Sequence, residues 1–264
     1  AARSGSHFTS NGLDIRLMRY RSLAQALLIL SMVSGTAMAE TVNIAVASNF
    51  ASAARAIIKA YPNSTEDQLN VIPGSTGKLY AQIKNGAPFD LFFAADSKRP
   101  ELLHSEGFVI GGEPHTYALG KLVLWSPAHR GLISVTALLD GDFRYIAIAN
   151  PRLAPYGDAA RQALSALGYW DSLQGRLVIG ESIGQAFQYV DSGNAELGLL
   201  ALSQFSGSHR EYSGAIGRVP DDIYTPIQQQ VVMLSDKSGA RAFLEFVSSG
   251  IATDILRTYG YGVP

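Results

Sequence analysis

The 264-residue chain contains no cysteine. That absence excludes disulfides, thiol nucleophiles and cysteine-ligated metal centres, so the hydrophobic core must do the stabilising. Positive charge is not in excess either: 21 basic residues stand against 22 acidic ones, a formal net charge of −1. With no basic stripe along any segment, a nucleic-acid partner is excluded. The five histidines are scattered, without metal-ligand spacing. There is no internal repeat, low-complexity tract or Pro/Ser linker, so any domain boundary must fall in strands or short loops.

Long apolar runs are also missing. The one candidate, "ALLILSMVSG" at 26–35, is too short to span a bilayer. It follows a basic start, Met18-Arg19-Tyr20-Arg21, and precedes Ala37-Met38-Ala39, the small-x-small form that signal peptidase cuts. Residues 18–39 read as a secretory leader, residues 1–17 as an upstream extension, and residues 40–264 as the exported chain. Setting aside residues 1–39 removes four arginines and one aspartate, which leaves a net charge of −4. A soluble protein of the periplasm is expected.

What the chain does have is alternation. "TVNIAVA" (41–47), "LNVIPG" (69–74), "DLFFAAD" (90–96), "GKLVLWSP" (120–127), "YIAIANP" (145–151), "GRLVIGES" (175–182), "LGLLALS" (197–203) and "IQQQVVML" (227–234) read as strands. Between them lie helical patterns. Phe50, Ala53, Ala54, Ile57, Ile58 and Tyr61 recur at helical spacing, and "KLYAQIKNG" (78–86) is stopped by Gly86. Further helices are expected over "SKRPELLHSEGF" (97–108), near 156–167, and throughout 240–261. A run of βαβ units predicts an α/β fold with largely parallel sheets.

One strand-to-helix turn, Gly74-Ser75-Thr76-Gly77-Lys78, has the look of a phosphate loop. The nucleotide-binding form needs glycine at 72 and a hydroxyl at 79, where this chain has Ile72 and Leu79, so that reading fails. What remains is a Gly-rich helix start whose amides and hydroxyls suit an anion. The same arrangement recurs at Ser48-Asn49, at Asn150 through "LAPYG", and at "GESIGQAF" (180–187). Each is also what an ordinary helix cap looks like. Ligands of α/β sheets bind at this end of the strands, and convergence of the four turns would make a site.

Taken together, "AVASNF", "GSTGKLYAQIKNGAPFDLFFAAD", "YALGKLVLWS", "NPRLAPYG", "GESIGQAF" and "AELGLLALSQ" resemble the periplasmic molybdate-binding proteins of ABC transporters. The resemblance runs over residues 40–264. It implies a two-lobed periplasmic-binding fold of type II, with mixed, mostly parallel sheets and a hinge of crossover strands near "YALGKLVLW" and "YTPIQQQVV". The implied lobes are residues 40–116 with 225–264, and residues 117–224. They would close over a tetrahedral oxyanion, molybdate or tungstate, held by neutral donors with no cofactor.

Carried over by position, the resemblance implies ligand contacts from Ser48 with Asn49 beside it, from Thr76 with Ser75 adjacent, and from the amides of Tyr156 and Ile183. The molybdenum of molybdate would be held through Ser48, Thr76, Tyr156 and Ile183. Ala201 stands where many members have a tyrosine, which leaves a fifth contact open. The implied partners are a membrane permease and its ATPase, and the implied receptor is monomeric and not an enzyme. Sulfate or vanadate is the alternative ligand.

A rival reading comes from Gly180-Glu181-Ser182-Ile183-Gly184, which fits the G-x-S-x-G nucleophile elbow of serine hydrolases. It would need Asp191 and His209, the one histidine after Ser182, in too short a stretch of chain. Trp125 and Trp170 read as packing residues.

Overall fold

The computed structural model describes Ala2 and residues 39–62, 66–130, 134–206 and 212–264. The leader expected at 18–39 lies outside the described residues except for Ala39, as does His209. Among the described residues no helix is long and apolar enough to cross a membrane.

Two five-stranded sheets organise residues 39–264. The first has β1 (Thr41–Ala47), β2 (Gln68–Gly74), β3 (Leu91–Phe93), β4 (His115–Gly120) and β10 (Ile227–Met233), in the order β2-β1-β3-β10-β4. The second has β5 (Leu122–Ser126), β6 (Ile146–Ala149), β7 (Leu177–Gly180), β8 (Leu197–Ala201) and β9 (Ala215–Arg218), in the order β7-β6-β8-β5-β9. Strands β1, β2 and β3 are parallel, as are β6, β7 and β8, because they come from βαβ units. Strands β10, β4, β5 and β9 add antiparallel pairs, so both sheets are mixed.

The chain passes from the first sheet to the second at Lys121 and returns between β9 and β10. This moves the expected boundary at 116/117: β4 pairs with β10 through Gly120 and so belongs to the first sheet. The apolar runs "TVNIAVA" and "LGLLA" are inner strands, covered on both faces over Ile44–Ala47 and Leu197–Ala201.

Helices α1 (Ala51–Ala60), α2 (Thr76–Lys84), α5 (Pro155–Ala166) and α6 (Ile183–Asp191) each begin at the C-terminal end of a parallel strand. Helix α3 (Lys98–Ser105) follows β3, and α4 (Val135–Leu139) is a short surface turn of helix. The stretch at 240–261, expected to be helical throughout, is two helices, α7 (Ser238–Val247) and α8 (Gly250–Thr258). Ser249 separates them: its hydroxyl accepts the Ala252 N–H at 3.2 Å and caps the second.

The first sheet is packed on both sides. Phe50, Ile57, Phe93, Phe243 and Leu256 fill one face, and Leu79, Ile83, Phe92 and Leu103 the other. Each such side chain contributes about 1.5–3 kcal/mol by leaving water. In the second sheet Trp125 stacks on Phe187 with centroids 5.4 Å apart, a packing role.

Candidate functional site

The turns after β1, β2, β6 and β7 meet at one small cavity. Ser48, Asn49, Ser75, Thr76, Tyr156 and Ile183 all line it, together with Ala47, Gly74, Ala95, Ala154 and Pro155. No ionisable carboxylate, amine, guanidinium or imidazole belongs to that wall. Three helices, α2, α5 and α6, start there. Their first-turn amides have no helical carbonyl to bond, and their aligned dipoles favour negative charge. A cavity with helix-start amides and hydroxyls on its wall is suited to an anion; the one acceptor without a partner on a wall side chain is the buried Oδ1 of Asn49.

The hydroxyls are poised as donors. Ser48 Oγ accepts the Gly184 N–H at 3.0 Å, and Thr76 Oγ1 accepts the Ala95 N–H at 3.1 Å. A hydroxyl has one hydrogen, so each of these, having accepted from the backbone, keeps it to donate elsewhere. Ser75 Oγ caps α2 by accepting the Lys78 N–H at 3.4 Å. The first-turn amides of Gly77 and Gly157 are taken by the carbonyls of Leu153 and Ala154. Those of Tyr156 and Ile183 belong to residues on the cavity wall.

Asn49 behaves differently. Both hydrogens of its side-chain amide are committed, to Gln229 Oε1 at 2.9 Å and to the Tyr261 hydroxyl at 3.0 Å. It is therefore a brace beneath the cavity rather than a side-chain donor into it. Gln229, on β10 and fully buried, also accepts from the Tyr117 hydroxyl at 3.0 Å and reaches the Tyr156 hydroxyl at 3.5 Å. Ser203 and Tyr261 both donate to the Asn49 carbonyl, at 3.1 and 2.9 Å. Burial pushes the hydroxyls of Tyr117, Tyr156 and Tyr261 above the ordinary tyrosine value, so the brace stays protonated and neutral. Sequence reasoning missed this network; polar Gln228-Gln229-Gln230 inside a strand was the available signal.

Contacts from the two sheets' loops meet around the cavity. The Gly77 N–H donates to the Leu153 carbonyl at 2.8 Å. Arg99, paired with Asp96, donates to the Arg152 carbonyl at 3.2 Å. Lys78 pairs with Glu181 at 2.8 Å, an ion pair half exposed at both ends and therefore weak.

The other constellations do not assemble. Ser182 is the N-cap of α6, its hydroxyl accepting the Gln185 N–H at 3.3 Å. Ser126 and His129 are 2.8 Å apart, yet Ser126 is only 1% exposed and closed to a substrate. Among the described residues no group of three or more His, Cys, Asp or Glu is gathered to hold a metal ion.

The sequence profile of the bacterial extracellular solute-binding proteins matches residues 42–262. The molybdate-binding protein ModA of Azotobacter vinelandii is 41% identical over 236 residues, covering 88% of this chain and 94% of that protein. Its counterpart in Rhodobacter capsulatus is 38% identical over 244 residues, covering 91% and 96%. Among solved structures, the periplasmic molybdate-binding protein of Azotobacter vinelandii superposes with a TM-score of 0.79 at 38% identity, covering 84% of this chain and 99% of that one. With two mixed sheets of this topology and a profile match over nearly all of the described region, the chain belongs to the bacterial extracellular solute-binding proteins.

Proposed function

We propose that the protein is a periplasmic receptor that binds molybdate or tungstate in this cavity and delivers it to the permease and ATPase of an ABC importer. The observation behind this is the wall itself: Ser48, Thr76, Tyr156 and Ile183 bring hydroxyls and helix-start amides to one cavity that holds no charged side chain. Such a wall suits a fully ionised oxyanion stripped of water, since every oxygen can accept and no wall group needs to be neutralised. The names of the relatives point to molybdate among such anions. In this reading Ser75 positions α2, Asn49 braces the turn after β1, and no resident cofactor takes part.

The two lobes are the first sheet with its helices and the second sheet with its own. Their hinge lies at Lys121 and in the return from β9 to β10, and closure around the ligand follows the usual hinge pattern. The leader at residues 18–39 takes the chain to the periplasm, where it acts as a monomer without catalysis.

Calorimetric titration of residues 40–264 with sodium molybdate tests this. One binding event per chain is the expected result. Absence of binding to molybdate and tungstate, or turnover of an ester substrate, would overturn it.

A further inference from the structure

The second sheet's edge of the cavity is fixed from behind by Gln204. This residue ends the short 3-10 turn Leu202–Gln204 that follows β8. Its Oε1 accepts the Ala201 N–H at 3.0 Å, half of a capping box, and its Nε2 donates to the Ile183 carbonyl at 3.0 Å. The amide can point only one way, because an N–H must face Oε1 and a carbonyl must face Nε2.

The Ile183 carbonyl shares a planar peptide unit with the Gly184 N–H, and that N–H donates to Ser48 Oγ at 3.0 Å. One peptide plane is thus held at both ends, by Gln204 at its carbonyl and by Ser48 at its N–H. Hydrogen bonds in series polarise one another. The series runs from the Gln204 amide through the Ile183–Gly184 peptide to Ser48, and it leaves the Ser48 hydrogen as the group to donate onward.

We propose that Gln204 is a positioning residue that makes Ser48 a donor, and thereby sets the site's preference for anions that bear no proton. The inference rests on the cavity being an oxyanion site. Without the Gln204 donor, the Ile183–Gly184 peptide is held only by the first turn of α6 and by Ser48, and its N–H can tilt away from Ser48. The freed hydroxyl can then turn a lone pair to the cavity and accept from the O–H of a protonated anion such as hydrogenphosphate.

Two variants test this by competition calorimetry with sodium molybdate and inorganic phosphate at constant ionic strength. Gln204→Met keeps the chain length and removes both polar contacts. Its molybdate affinity is expected to fall about tenfold, the size of one net hydrogen bond, with the molybdate-to-phosphate ratio falling at least as far. Gln204→Glu lacks the donor at neutral pH and regains it when its carboxyl is protonated. Its molybdate affinity is expected to rise about twofold as pH drops from about 8 to about 5, where an ordinary Glu carboxyl begins to protonate, while that of Gln204→Met stays flat. A merely structural role would lower the unfolding temperature of the ligand-free variants but leave the anion ratio and the pH profile like those of the parent, which would overturn the proposal. Should Gln204→Glu fail to fold, the ratio in Gln204→Met decides alone. Failure of the parent protein to bind molybdate would instead remove the underlying reading.

Discussion

Gly77 and Leu153, each next in sequence to a cavity-wall residue, meet backbone to backbone: the N–H of one donates to the carbonyl of the other at 2.8 Å, and a Cβ on Gly77 would lie 2.9 Å from that oxygen. Gly77 sits in the first turn of α2, where alanine is the better helix former by about 0.5–1 kcal/mol. In the proposed two-lobed reading this contact forms only on closure, so Gly77→Ala is expected to leave the open, ligand-free protein as stable as before or slightly more so. Its added methyl must part the two loops, so molybdate affinity should drop by about tenfold, one hydrogen bond's worth. Thermal unfolding without ligand and calorimetry with it separate the two effects. Unchanged affinity would mean that this contact has no part in binding.

Thr76→Ala tests the donor role of the turn after β2. The hydroxyl accepts the Ala95 N–H at 3.1 Å and keeps its own hydrogen for the cavity. Hydrogen bonds to charged groups contribute about 1.5–3 kcal/mol, so affinity should weaken roughly ten- to a hundredfold, and Thr76→Ser should restore most of it. If Thr76→Ala binds like the parent, the loop is only a helix start.

The parallel strands and the four cavity turns were legible because each rests on local chemistry. β-Branched runs mark the strands, and Ser, Thr and Gly at strand-to-helix turns mark the cavity wall, where Ser48, Ser75, Thr76, Tyr156 and Ile183 are found. The division of labour within that wall was not legible. Ser48, Ser75 and Ser182 all accept an N–H from a helix's first turn, but Ser48 takes its bond 136 residues away, from Gly184. The brace of Asn49, Gln229 and Tyr261 likewise joins residues far apart in sequence, which no periodicity encodes. The break at Ser249 was missed because a serine cap inside a continuous apolar pattern is a weak local signal.

Ser182→Ala separates a receptor from a hydrolase. The hydroxyl caps α6 by accepting the Gln185 N–H, so its loss should reduce stability by about 0.5–2 kcal/mol. Oxyanion binding should stay within a few fold, because the neighbouring Ile183 is the residue on the wall. Denaturant titration and calorimetry read the two quantities. An esterase activity in the parent that disappears in Ser182→Ala would reverse the functional reading.

Alkaline conditions should loosen the brace. Burial raises the hydroxyls of Tyr117, Tyr156 and Tyr261 above their ordinary value of 10.0. Above that pH the unfolded chain gives up protons that the folded chain keeps, so stability falls as pH rises from about 10. Below it both states hold the protons and the contribution is complete. Tyrosinate absorbance should accordingly show these three side chains ionising only together with unfolding. Their smooth titration in a folded protein near pH 10 would contradict the burial on which the brace depends.

Selectivity follows from a wall without charge or carboxylate acceptors. None of Ser48, Asn49, Ser75, Thr76, Tyr156 or Ile183 has a side chain that takes up or loses a proton near neutral pH. A protonated oxyanion would press an O–H against donors and leave a buried donor unpaired, which costs about 1–3 kcal/mol. Phosphate, partly protonated at neutral pH, should therefore bind negligibly. Among fully ionised tetrahedral dianions charge does not discriminate, and size is what remains. Three helices start at the cavity, and rigid donors that grip a larger metal oxyanion would not all reach the four oxygens of the smaller sulfate. Strong binding of molybdate and tungstate, weak binding of sulfate, and little change from about pH 6.5 to 9 are the expected outcome. Competition titrations across that range check it, and sulfate or phosphate binding as tightly as molybdate would be incompatible with a site of this construction.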